Sequence, residues 1–199
     1  MTKTKKEALK LPDWTKLRFS DARKGEFCGS KCTSRFVEPD ENYRAEFPFL
    51  LGVSGVIIGI DPGANFGITI LGEGMQPEVL NGTMPKGEHY EYGIRAYQMG
   101  QELYRVYHQP SKGPKISIIE GASYGDRFGQ DGLAEIRFGF YLGLYTAGAD
   151  VTIVAPTSIR KAVFGSGKTQ AMDIWACLNH NGADSLAIAL YSLMKIPSV

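Results

Sequence analysis

Three carboxylates stand at the ends of apolar segments. Asp61 closes Val-Ile-Ile-Gly-Ile-Asp-Pro-Gly, Glu120 closes Ile-Ser-Ile-Ile-Glu-Gly, and Asp184 lies in Asn-Gly-Ala-Asp-Ser-Leu-Ala-Ile-Ala. A carboxylate at the end of an apolar strand costs stability unless it stays solvated or meets a cation. Each has a plainer reading when taken singly. Asp before Pro-Gly starts a turn, Glu before Gly closes a strand with its side chain in water, and Asp at a helix N-terminus complements the macrodipole. Their joint placement, at two strand ends and one helix start, predicts a single acidic cluster for Mg²⁺ or Mn²⁺. Hard cations on oxygen ligands activate water against a phosphodiester. These residues therefore predict a metal-dependent nuclease.

The elements that must position them follow from hydrophobic periodicity. The run Gly55 to Ile60 reads as a buried strand, and Phe66 to Leu71 and Glu78 to Thr83 as two more, joined by Gly-rich turns into an antiparallel meander. Glu88 to His108 carries helical spacing through Tyr92, Ala96, Met99, Leu103 and Val106. Lys115 to Glu120 is a fourth strand, Leu133 to Ala147 a helix, and Val151 to Val154 a fifth strand. Pro156 to Val163 predicts a short helix with Thr157 or Ser158 near its N-cap. A helical stretch from Gln170 to Leu178 and a last helix from Ala183 to Met194 complete the chain. This order predicts an α/β domain over residues 55–199: a mixed five-stranded sheet with helices on both faces. Residues 1–54 show no sustained period and read as an irregular, basic and aromatic extension that packs on the body or on a partner protein.

Composition bounds the function class. With 43% hydrophobic and 22% charged residues, the chain is ordinary for a soluble globular protein. It contains no apolar stretch long enough to span a bilayer and no signal-like h-region, so a cytoplasmic protein is expected, with an organelle the alternative. Net charge is +1, but residues 1–36 hold ten Lys/Arg against four Asp/Glu. That basic arm fits polyanion contact as well as it fits a solubilising tail. Cys28 and Cys32 have loose metal-ligand spacing without a second Cys or His pair nearby, which favours free thiols in a loop over a structural zinc.

Ile60-Asp61-Pro62-Gly63 followed by Phe66-Gly67-Ile68, then Ile119-Glu120, then Ala183-Asp184-Ser185-Leu186-Ala187-Ile188-Ala189 together resemble the RuvC family of Holliday-junction resolvases. The similarity spans roughly residues 55–194. It implies an RNase H-like fold, a homodimer, and paired Mg²⁺-dependent nicks across branched, four-way DNA. Carried over by position, Asp61, Glu120 and Asp184 would be ligands for a pair of Mg²⁺ or Mn²⁺ ions. The fourth ligand of such families, Asp or His, falls here on Asn181, which offers only a neutral carbonyl; His180, four residues before Asp184, is the other candidate, and a simple turn and N-cap is the alternative for both. Lys161 or Lys168 would offset charge in the transition state, and Arg160 joins them as a DNA-binding candidate. Lys168 lies in Gly-Ser-Gly-Lys-Thr, but Ala162 breaks the phosphate-loop pattern, so a DNA-facing loop is the better account. After Glu120, Tyr124, Arg127 and Phe128 sit among glycines where such resolvases wedge an aromatic into the junction; core packing of Phe128 is the alternative. Phe138, Phe140, Tyr141 and Tyr145 are read as core and dimer seam.

Two departures qualify the resemblance. The segment from Gly167 to Asp184 is shorter than the family usually has, which would tilt Asp184 away from the metal. With Asn181, this keeps open a catalytically weak DNA-binding or assembly protein on the same fold. A YqgF-type RNA-processing nuclease shares the fold but usually runs shorter and lacks the basic arm.

Overall fold

The computed structural model describes residues 12–38, 47, 50, 53–122 and 130–195. Its centre is an eight-stranded mixed sheet in the order β1-β3-β6-β5-β4-β7-β8, with β2 also paired to β3. The strands are β1 (Arg18–Phe19), β2 (Arg23–Phe27), β3 (Ser30–Glu38), β4 (Val56–Asp61), β5 (Asn65–Gly72), β6 (Glu78–Thr83), β7 (Lys115–Glu120) and β8 (Asp150–Val154). The five strands expected of the body are present, with β4, β5 and β6 antiparallel and β7 and β8 parallel to β4. Central β4 is buried at every position, which is why its sequence is a continuous apolar run rather than an alternation.

Helices cover both faces. On one lie α1 (His89–Leu103, continued as a π-helical turn over Tyr104–His108) and α2 (Gln130–Ala147), packed on Ile58, Ile60, Phe66, Ile68 and Ile70. On the other lie α3 (Pro156–Phe164), α4 (Ala171–Ile174) and α5 (His180–Lys195), packed on Ile57, Leu71 and Val79. The capping differs from expectation at α3. Its N-cap is Ala155 and Pro156 occupies the first turn, where a missing N–H costs nothing. The stretch expected to be helical over Gln170 to Leu178 is helical only over Ala171–Ile174.

Residues before 55 depart most from the sequence reading. β3 pairs with β6 from Lys31 to Phe36, so the extension continues the sheet instead of trailing from it. The turn between β2 and β3 is Cys28-Gly29, both at positive φ, the backbone of a tight hairpin. Cys28 is thus a hairpin-turn residue and Cys32 a buried strand residue, not thiols of one loop. Charged side chains on β2 conceal the strand from a hydrophobicity reading, as is common at sheet edges. Upstream, Trp14 is buried in the α3–α5 core: its Nε1 donates to the Val163 carbonyl at 2.8 Å, and Nε1 of Trp175 donates to the Trp14 carbonyl at 2.9 Å. Among the described residues no helix is long and apolar enough to cross a membrane.

Candidate metal centre

Asp61 ends β4 and Glu120 ends the adjacent parallel strand β7, where the register Ile60↔Ile119 brings the next residues side by side. Asp184 arrives from α5. That helix begins at His180, three residues earlier than the sequence reading, because Asn179 caps it: its Oδ1 accepts from the Gly182 N–H at 2.9 Å. The earlier start settles the short connection before Asp184. Instead of tilting away, Asp184 is 5% exposed and faces Asp61. It also puts His180 one turn from Asp184, with Nδ1 3.3 Å from Asp184 Oδ2. One ligand atom each from Asp61, His180 and Asp184 lies within 4.8 Å of the others.

Two glycines permit this approach. A Cβ on Gly67, which pairs with Asp61, would stand 1.9 Å from the Asn181 carbonyl oxygen. A Cβ on Gly59 would stand 2.5 Å from the backbone of α5. The helix therefore rests directly on the strand backbones, and its first turn meets the strand ends.

The electrostatics are those of a buried acidic cluster that Arg160 and His180 only partly offset. Burial, then the charges of Glu120 and Asp184, push the Asp61 carboxyl well above its usual range. Asp61 and Glu120 share a hydrogen bond, and the Asn181 amide pulls Asp61 back down. Glu120 is raised by burial and by Asp184, and Asp184 by burial, against the lowering effect of His180 and Arg160. Oδ2 of Asp184 is buried without a hydrogen-bond donor of good geometry; among the described residues, His180 and, at 3.7 Å, the Arg160 guanidinium approach it. An orphaned carboxylate oxygen amid mutually repelling acids fits a hard divalent cation, with Asp61, Glu120, Asp184 and His180 as available donors.

The Asn181 amide nitrogen donates to Asp61 Oδ2 at 3.0 Å and to the Asn65 carbonyl at 2.9 Å, which orients Asp61. Arg160, expected from sequence as a DNA contact, lies with its guanidinium 3.7 Å from Asp184 Oδ2. Arg137 was missed by sequence reasoning: half-buried on α2, it donates from Nε to the Glu120 carbonyl at 2.8 Å. Nothing in its sequence neighbourhood marks it, since its partner is main chain. Lys161 and Lys168 are exposed, and among the described residues no contact links them to the carboxylates. Tyr124, Arg127 and Phe128 lie outside the described residues.

Neither a protein-family model nor a curated protein matches this chain. Solved structures do. A structure of Thermus thermophilus RuvC aligns over 70% of this chain and 93% of its own, at 23% identity and TM-score 0.51. A structure of the same protein in complex with Holliday junction substrate aligns over the same shares, at 19% identity and TM-score 0.50. The chain therefore has the RuvC-like, RNase H-type fold that its sequence motifs anticipate.

Proposed function

We propose that this protein is a divalent-metal-dependent endonuclease acting on branched DNA, with four-way junctions as its substrate class. The observation that carries the reading is the convergence of Asp61, Glu120 and Asp184 from β4, β7 and α5, with the buried Asp184 Oδ2 making no hydrogen bond. The likeness to RuvC, one of whose structures holds a Holliday junction substrate, supports the choice of DNA geometry.

Asp61, Glu120 and Asp184 would hold the metal, with His180 as a fourth donor. Mg²⁺ or Mn²⁺ held by these residues would supply an activated water and charge stabilisation at the departing oxygen. Asn181 fixes the rotamer of Asp61 and keeps one of its oxygens turned inward. Arg137 clamps the end of β7, so Glu120 keeps its place when the cluster is deprotonated. Arg160, beside Asp184 and partly exposed, would offset charge at the reacting phosphoryl group, the part expected from sequence of Lys161 or Lys168. Lys161, Lys168, Tyr124, Arg127 and Phe128 remain proposed DNA contacts outside the metal centre.

A twofold-symmetric junction calls for a twofold enzyme. The outer face of α1 and α2 exposes Tyr90, Ile94, Phe138 and Tyr145, with Phe138 61% exposed. We assign the homodimer seam to this face; Phe140, by contrast, is wholly buried.

A synthetic four-way junction incubated with Mg²⁺ or Mn²⁺ tests the proposal. Symmetric nicks that vanish in Asp61→Asn are expected. Tight binding with no nicks in either metal would favour the second reading, a DNA-binding scaffold, for which the Asn181 donor and the Arg160 contact on Asp184 are the supporting observations.

A further inference from the structure

The sheet face that carries Asp61 does not end at the metal centre. In register across five strands lie Asp61 on β4, Gly67 on β5, Asn81 on β6, Thr33 on β3 and Lys24 on β2. A second row runs beside it through Asn65, Thr83 and Lys31. Residues directly opposite in a ladder share a face, so both rows look the same way. The first turn of α5 covers only the near part of this face, at Gly67 and Asn81. Beyond it the face is open, forming a groove of about 640 Å³ with Lys24, Lys31, Asn65 and Asn179 on its walls.

The chemistry of the groove is one-sided. Among the described residues its lining contains no Asp or Glu; four asparagines, two threonines and two exposed lysines supply its polar groups. Glu26, opposite Lys31 in register, is outside the lining. Asn81, 8% exposed in the floor, leaves its Oδ1 without a hydrogen-bond partner. The groove adjoins the metal centre at Asn65 and Asn181, where the Asn181 amide donates both to Asp61 Oδ2 and to the Asn65 carbonyl. At about 4.8 Å per strand, Lys24 lies about 19 Å along the sheet from Asp61. The volume is in the range of sites that enclose small organic ligands, and the direction is away from the acids. An anionic chain that begins at the carboxylates and needs successive cationic and amide contacts fits it.

We propose that this groove, built by the β2–β3 hairpin, is the track for the DNA strand that continues from the scissile phosphate, with Lys24 and Lys31 on its backbone phosphates and the asparagines and threonines on its sugars and base edges. The proposal rests on the nuclease reading for the identity of the polymer. It gives the hairpin a task distinct from that of the carboxylates, which is to hold the outgoing strand in line with them.

The test is binding of a fluorescent four-way junction in metal-free buffer across a salt series, with wild type, K24Q/K31Q and K24R/K31R. The expected result is an affinity on the order of tenfold lower for K24Q/K31Q, with the slope of log K against log salt shallower by about 2, roughly one per lysine. K24R/K31R should keep both. If K24Q/K31Q matches wild type in affinity and slope, or if the arginine pair loses as much as the glutamine pair, the track is overturned even where wild type nicks the junction. Wild type that shows the lysine-dependent slope but never nicks, in Mg²⁺ or Mn²⁺, leaves the groove as a nucleic-acid site and removes the nuclease reading. Wild type that binds no DNA overturns both.

Discussion

The amide nitrogen of Asn181 sits 3.0 Å from Asp61 Oδ2 and 2.9 Å from the Asn65 carbonyl, so both of its N–H groups are engaged. That pairing of donors with acceptors sets which way the amide points. Asn181→Ala removes the hydrogen bond that lowers the Asp61 pKa, so protons compete harder with metal for that oxygen. Mn²⁺ affinity near neutral pH should fall about tenfold, the usual scale for a group that orients a ligand. Titration calorimetry reads this directly; unchanged affinity would remove the positioning role.

The metal-free protein should lose stability as pH rises. Asp61, Glu120 and Asp184 all have raised folded-state pKa values, burial being the first cause in each. The native state then holds protons that the unfolded chain has already released, so stability declines as pH climbs from the ordinary carboxylate range through the raised values. Asp61→Asn removes the most strongly raised group. In EDTA at about pH 8 it should melt higher than wild type, a gain of roughly 1–2 kcal/mol, while failing to nick. Thermal melts from about pH 5 to about pH 8 decide the sign; a wild-type midpoint that rises across that interval would contradict the cluster as described.

Arg160 would compete with a bound cation for the same oxygen of Asp184. Arg160→Gln leaves that largely buried carboxylate without its guanidinium neighbour, and metal-free stability should drop by about 1–3 kcal/mol after allowance for Arg160's partial exposure. Added Mg²⁺ should recover more of the melting temperature in the variant than in wild type. Equal recovery in the two proteins would show that the arginine does not sit in the ion's place.

Gly67→Ala should disable the site without touching a carboxylate. The new methyl meets the Asn181 carbonyl, which is backbone and cannot turn aside. The first turn of α5 must lift, taking His180 and Asn181 with it. A stability loss of about 1–3 kcal/mol and loss of Mn²⁺ binding are expected together. Retained Mn²⁺ affinity in a folded variant would mean that the helix start is not what holds the ligands in place.

Removing the first 54 residues should not yield a free-standing nuclease. Trp14 fills the α3–α5 core and exchanges hydrogen bonds with the backbone of Val163 and the ring of Trp175. Trp14→Ala should cost about 3–5 kcal/mol, and truncation before residue 55 should expose Val163, Trp175 and Leu178 to dye binding. A truncated chain with native near-ultraviolet dichroism would restore the boundary that the sequence suggests.

The acidic cluster and the five body strands were legible because each carries a local signal: a run of β-branched residues, a turn tripeptide, a carboxylate at the boundary. β6 matches its expected span of Glu78 to Thr83, and the three acids converge as the motifs imply. What was hidden is non-local. The start of α5 at His180 depends on the Asn179 cap in a stretch that also reads as a turn. Arg137 matters through a main-chain carbonyl seventeen positions away. The β2–β3 hairpin is mostly polar and becomes a strand pair only because β6 offers an edge. Arg160 could be seen as a cation, but whether it faced DNA or Asp184 was a matter of packing.

The two helices on the far side of the sheet touch backbone to backbone. A Cβ at Gly139 would fall 2.3 Å from the Gly93 carbonyl, and one at Gly143 would fall 2.2 Å from that of Tyr97. No cushion of side chains separates them, so they form a stiff plate with aromatic rings on its outer surface and Arg137 at its inner rim. A larger residue at Gly139 or Gly143 would therefore push the two helices apart and shift Arg137 relative to the Glu120 carbonyl it holds.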